Sequence, residues 1–268
     1  MLHRNTTRLL LTALVAGAAA CADSTAPTHT LTDAALTRDA ASDAADATTQ
    51  DLGVMLGGEL LAGMPMLSAA QVSQPGGCVF SASTGRFACP TITTPDGLTL
   101  ERSYAIYANG VAQPSYDATA TDSMNFQTAL SGTLSRDGRT AWLNTMRTMT
   151  VSGLAGAETQ RSWSGVGTRS DSAHVVNDGV ARRTRMHSVD QISKVVYALP
   201  RLSNPYPKSG TITHDMTLTS TADNATGTNT RTVTRHVVVT FNGTSTASVM
   251  VGTTACTLDL ATRKLTCP

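Results

Sequence analysis

The sequence predicts a mainly β protein: a large, curved antiparallel meander sheet of about 10–12 strands, with one or two N-terminal helices packed on it. Three observations lead there. From residue 76 onward, runs of alternating apolar and polar residues follow one another, separated by short turns such as Asn109-Gly110 and Asn242-Gly243. Charged residues make up 15% of the chain and aromatics 4%, while Thr and Ser are plentiful, which suits the exposed faces of strands better than helices. Finally, four of the five cysteines fall into two matched segments, GCVFSASTGRFACP and ACTLDLATRKLTCP.

The chain opens with Arg4, Arg8 and no acid, followed by an uncharged run from Leu9 to Ala20 in which Thr12 is the one polar residue. A basic start, a short apolar run and small residues at its end make residues 1–20 a secretory signal peptide. As a helix that run spans about 18 Å, too little to cross roughly 30 Å of hydrocarbon. Ala18-Ala19-Ala20-Cys21 resembles the lipobox of bacterial lipoproteins, with Ala18 where that family prefers Leu. The resemblance implies that Cys21 is lipidated and becomes the first mature residue, tied to a membrane of the bacterial cell envelope. Ala22 does not match the inner-membrane retention signal and Asp23 comes one place late for it, so the outer membrane is expected over the inner. Plain secretion with cleavage before an incidental Cys21 is the alternative.

Residues 21–32 read as the lipidated cysteine and a flexible tether of Thr, Ala, Ser and Pro. Residues 33–75 read as a helical segment. Thr32 is its cap, and Leu36, Ala40 and Ala44 recur at helical spacing, predicting a helix near 33–48. Leu52, Met55, Leu56, Glu59, Leu60 and Gly63 make a second stripe, predicting another helix near 50–63 that Pro65 ends.

Residues 76–268 read as the β domain. Each cysteine segment predicts a hairpin, turning at Ser83-Thr84-Gly85 and at Ala261-Thr262, which sets Cys78 opposite Cys89 and Cys256 opposite Cys267. Two other pairings of these four cysteines and a metal site are the alternatives; the spacing is wrong for a zinc site, and an exported chain is in disulfide-permissive territory. Between them, strands are expected over 98–108, 123–135, 140–153, 158–176, 180–192, 194–199, 210–221, 228–241 and 244–251. Met124, Phe126, Leu130 and Leu134 share one face; Trp142 and Met146 lie opposite Leu143, Met149 and Val151. Thr, Ser, Arg and Gly alternate on both faces, unlike a lipid-facing barrel. Residues 22–95 carry seven acids and two bases, and 96–268 twelve acids and sixteen bases, which fits either an acidic helical segment docked on a basic sheet or two separately solvated surfaces.

The net charge of +1 gives no reason to expect nucleic acid as a partner. No phosphate loop, nucleophile elbow, HExxH or calcium loop occurs, so no catalytic, cofactor or metal residues are assigned. His214 beside Asp215 and His187 near Asp190 are the nearest approaches to a catalytic pair. Arg183, Arg185 and His187 form a possible interaction patch on one face, with Arg182 on the other. The expected function is that of a membrane-anchored extracytoplasmic module that binds without catalysis, its ligand a lipid or other apolar molecule or an envelope protein. Alternatives are an assembly subunit of an envelope complex and an extracytoplasmic hydrolase whose site is not visible in the sequence.

Overall fold

In the computed structural model the described residues are 31–56, 77–94, 97–136, 139–177, 180–224 and 227–268. The expected leader, Cys21 and the stretch from Glu59 to Gly63 lie outside them. One helix, α1 (Asp33–Met55), precedes a single fourteen-stranded antiparallel sheet that does not close.

The helix starts where the sequence says it should: Thr32 is extended and its Oγ1 accepts the Ala35 N–H at 3.1 Å. Its buried side is small: Leu36, Ala40, Ala44, Ala47, Thr48, Asp51 and Met55, among others, face the sheet. Alanines let the helix axis approach the sheet closely. Two helices were expected with a break near residue 49, but α1 is continuous through it. The apolar stripe is interrupted there because Thr48 and Asp51 are inward-facing polar residues, not because the helix ends.

The first strands are short. β1 (Val79–Ser81) and β2 (Arg86–Ala88) form the first cysteine hairpin; β3 (Ile92–Thr93), β2 and β5 (Val111–Gln113) all pair with β4 (Thr99–Ala108). The long strands follow: β6 (Ser123–Arg136), β7 (Arg139–Ser152), β8 (Gln160–Asn177), β9 (Val180–Ala198), β10 (Ser209–Asn224) and β11 (Gly227–Thr240). β12 (Thr246–Val251), β13 (Thr254–Asp259) and β14 (Lys264–Thr266) end the chain. Apart from β3 and β5, spatial order follows chain order, a meander. Disulfides join Cys78 to Cys89 and Cys256 to Cys267 in the expected register and clip both edge hairpins. Two expected strands, 180–192 and 194–199, are the single strand β9. Lys194 takes a positive φ of 47°, and a register shift between Trp163 and Gly165 on β8 absorbs the irregularity without ending the pairing.

Inward residues of neighbouring strands line up in rungs. The deepest is apolar: Tyr104, Phe126, Met149, Gly165, Ile192, Ile212, Val239, Val249 and Cys256, taken from β4 across to β13. Trp163, Tyr197, Leu154 and Val195 extend this core at one end of the sheet. The next rung toward the other end is polar, and it is the rung that α1 crosses.

Candidate functional site

That polar rung reads Arg102, Thr128, Arg147, Gly167, Asp190 and His214 across β4, β6, β7, β8, β9 and β10. Arg147 and Asp190 are two strands apart, about 9.6 Å between backbones. They meet because the residue between them is glycine. A Cβ at Gly167 would overlap the Arg147 guanidinium, which lies across it. Arg147 Nη2 reaches Asp190 Oδ2 at 2.7 Å, and its Nη1 donates to the Met146 and Thr168 carbonyls at 3.2 and 3.3 Å. From above, α1 supplies two further partners. Asp51 Oδ1 accepts from Arg147 Nε at 2.8 Å, and Thr48 Oγ1 lies 2.9 Å from His214 Nε2. His214 Nδ1 lies 2.8 Å from Asp190 Oδ1, which also accepts a hydrogen bond from the Ser188 hydroxyl.

The electrostatics follow from this geometry. Burial pushes the Asp190 carboxyl up, but the His214 hydrogen bond and the Arg147 charge outweigh it and hold the group below the usual carboxylate range. Burial pulls Arg147 down, and the charges of Asp51 and Asp190 return it above its ordinary value. A cavity of about 20 Å³ bordered by Asp51, Thr128, Thr145 and Arg147, room for one water molecule, adjoins this group.

Thr48, His214 and Asp190 stand in the order hydroxyl, imidazole, carboxylate that nucleophilic hydrolases use. Their exposures are 0%, 0% and 1%. A nucleophile must touch its substrate, and this hydroxyl is sealed between helix and sheet. Arg147 and Asp51 join these three through the 2.8 Å contact of Arg147 Nε with Asp51 Oδ1, so the constellation clamps α1 to the sheet. The sequence offered His214 with Asp215 and His187 with Asp190 as the nearest pairs, and the structure forms neither. His214 takes Asp190, Asp215 takes His236 at 2.7 Å, and His187 Nδ1 lies 2.9 Å from Ser170 Oγ.

The expected docking of an acidic helix on a basic sheet is present. Asp33 meets Arg231 and Asp39 meets Arg182, each at 2.6 Å, in addition to Asp51 with Arg147. Asp43 is half-buried; burial and the nearby Asp171 charge push its carboxyl up to about 7, against the pull of Arg169. Asp46 is raised to about 6, again by burial.

Arg183, Arg185 and His187 share the outward face as expected, while Arg182 turns inward to Asp39 and Ser220. The open face holds more than that patch. Trp142 and Met146 on β7, Val166 on β8 and Val189 on β9 are all exposed there, between 42% and 58%. Met146 and Val189 both pair with Thr168, so they belong to one rung, and Val166 is one rung away. Among the described residues no three His, Cys, Asp or Glu side chains gather as a metal would require.

Comparison with protein-family models, with curated proteins and with solved structures gives no match to this chain.

Proposed function

We propose that this protein is a lipid-anchored, extracytoplasmic envelope protein that binds a partner through the open face of its sheet and performs no catalysis. The observation that carries the reading is the contrast between faces. The helix-bearing face is filled by α1 and the polar clamp, whereas the open face presents Met146, Val166 and Val189 together and, two rungs along from Met146 and Val189, Trp142 beside Arg185. Contiguous exposed apolar side chains rimmed by polar ones mark interaction surfaces. An apolar ligand held against the inner face would compete with α1 for the same residues, so the binding role belongs on the outside. The anchor rests on Cys21 and its lipobox-like setting.

Two measurements test this. Palmitate labelling should mark the wild type and not Cys21→Ser, and the variant should leave the membrane fraction. A photo-crosslinking residue in place of Val166 should give a discrete product in native envelopes, while one in place of the fully exposed Leu202 should not. Equal products from both positions, or none, would discard the interaction face.

One observation favours an assembly role as a second reading. β12 pairs with β11 only from Val237 onward, so among the described residues 227–235 have a strand neighbour, β10, on one side alone. The Phe241 N–H points to Gly210 on β10 and the His236 carbonyl to Gly252 on the opposite side. Thr228, Thr230, Thr232 and Thr234 therefore aim their backbone N–H and C=O away from β10, a template for an added strand. Thr232→Pro removes one such N–H without touching the β10 ladder. If assembly uses this edge, native mass spectrometry of that variant will show the complex lost and the fold kept.

A further inference from the structure

The open face carries a depression of about 180 Å³ bordered by Thr140, Trp142, Ser172, His174, Arg183 and Arg185. Its shape follows from register. Trp142 on β7 and Arg185 on β9 both pair with Ser172 on β8 between them. The two large side chains therefore stand two strand spacings apart, about 9.6 Å, with a serine as the floor. On the neighbouring rung Thr140 and Arg183 flank His174 in the same way. One wall is thus an indole and a hydroxyl; the other is two guanidinium groups.

The charges on this face are not balanced by the fold. Arg183 and Arg185 sit two residues apart on one strand, about 6.8 Å, and like charges so placed repel. Among the described residues Asp223, 3.6 Å from Arg183, is the acid that answers them. Among the described residues that line the depression or pair with its lining, the arginines outnumber the acid, and the imidazole of His174 lies in the floor between the walls. Beside them Trp142 is 42% exposed, an expensive residue to leave in water.

We infer that this depression binds an acidic sugar, a pyranose ring bearing a carboxylate. The inference rests on the open face being the interaction face and names what that face takes. The indole receives the C–H side of the ring, Arg185 takes the carboxylate through paired N–H groups, and the hydroxyls of Ser172 and Thr140 meet those of the sugar. With Asp223 already 3.6 Å from Arg183, Arg185 is the guanidinium left to take a planar carboxylate, and a phosphate dianion would be repelled by the Asp223 carboxylate.

The test is a titration of the full mature chain with trigalacturonate, its fully methyl-esterified form and a hexose phosphate at about 0.1 M salt, where surface charges are screened beyond roughly 10 Å. Tryptophan emission is the readout, since the chain's second tryptophan, Trp163, is 1% exposed. Trigalacturonate should change the emission saturably and bind at least about tenfold more tightly than the ester or the phosphate, the size of one charge-assisted contact. Arg185→Gln should lose about that factor with an unchanged melting temperature, and Trp142→Leu should lose a similar factor by calorimetry. No saturable binding, equal binding of the ester, tighter binding of the phosphate, or affinity indifferent to Arg185→Gln would each overturn the inference. Crosslinks from position 166 that persist when trigalacturonate fails to bind would remove the ligand class and leave the interaction face standing; loss of both would remove both.

Discussion

Arg147 and Arg185 lie two strands apart in the same sheet and are the same residue put to opposite uses. Arg147 faces inward, 5% exposed, with four contacts on its guanidinium: Asp51 from the helix, Asp190 across the glycine gap, and two backbone carbonyls. Arg185 faces outward on the rung of Trp142, exposed beside a second arginine. A buried charge left without a counter-charge costs several kcal/mol, so its surroundings are committed to pairing it. An exposed one carries no such requirement, so its surroundings can be left unbalanced for something else to balance. In this molecule the polar cluster that looks most like chemistry belongs to stability, and the plainer surface is where a partner can reach.

The largest expected effect tests the inner half of that contrast. Arg147→Met strands two buried carboxylates and should cost about 3–5 kcal/mol of unfolding free energy in urea titrations followed by Trp163 emission. Next is Gly167→Ala, whose methyl group would push into the Arg147 side chain and should cost about 1–3 kcal/mol. In the Arg147→Met background that cost should shrink, because the group it collides with is gone. If it persists undiminished, the glycine serves the strand and not the arginine.

Titration gives a third, smaller effect with opposite signs in two carboxyls. Asp43 is raised in the folded state, so the native protein binds its proton more tightly than the unfolded chain, and stability falls as pH rises from about 4 to about 7. Asp190 is lowered, so its contribution is present above the ordinary aspartate value and is lost as pH falls through the folded one. Stability should therefore peak in mildly acidic solution. Asp43→Asn should flatten the decline between about pH 4 and about 7 and stabilise the protein by about 2 kcal/mol at pH 8, less than the full shift would give because the carboxyl is part solvated. A decline as steep in Asp43→Asn as in the wild type would exclude this carboxyl as its source. The smallest effect is on the outer face: Arg185→Ala should change stability by no more than about 0.5 kcal/mol, and relief of repulsion with Arg183 can make it slightly favourable.

Much of the fold was legible because antiparallel meanders are written locally. Alternation in Met124 to Leu134 and in Trp142 to Val151 told inside from outside, and each long strand ends within a few residues of an Asn- or Gly-containing turn. The cysteine hairpins were legible for the same reason, their partners being eleven residues apart. The clamp was not. His214 and Asp190 are twenty-four positions apart and Thr48 and His214 one hundred and sixty-six, so no spacing links them. The one local trace was the pair of polar residues, Thr48 and Asp51, breaking the stripe of α1, and it read as a gap between helices. Arg183, Arg185 and His187 were visible as a charged run on one face, but Trp142 joins them only through the register of two hairpins.

The contact between Arg231 and the start of the helix fixes where the proposed anchor would attach to the fold. Arg231 donates to the Leu31 carbonyl at 3.2 Å and pairs with Asp33, fixing the point where the chain leaves the fold beside β11. Nine residues lie between Cys21 and Leu31, a leash of at most about 35 Å. Thr232, the next residue along β11, lies on the rung that also holds Arg185 and Trp142. With Cys21 acylated, a leash of that length would keep the depression within a few nanometres of the lipid headgroups.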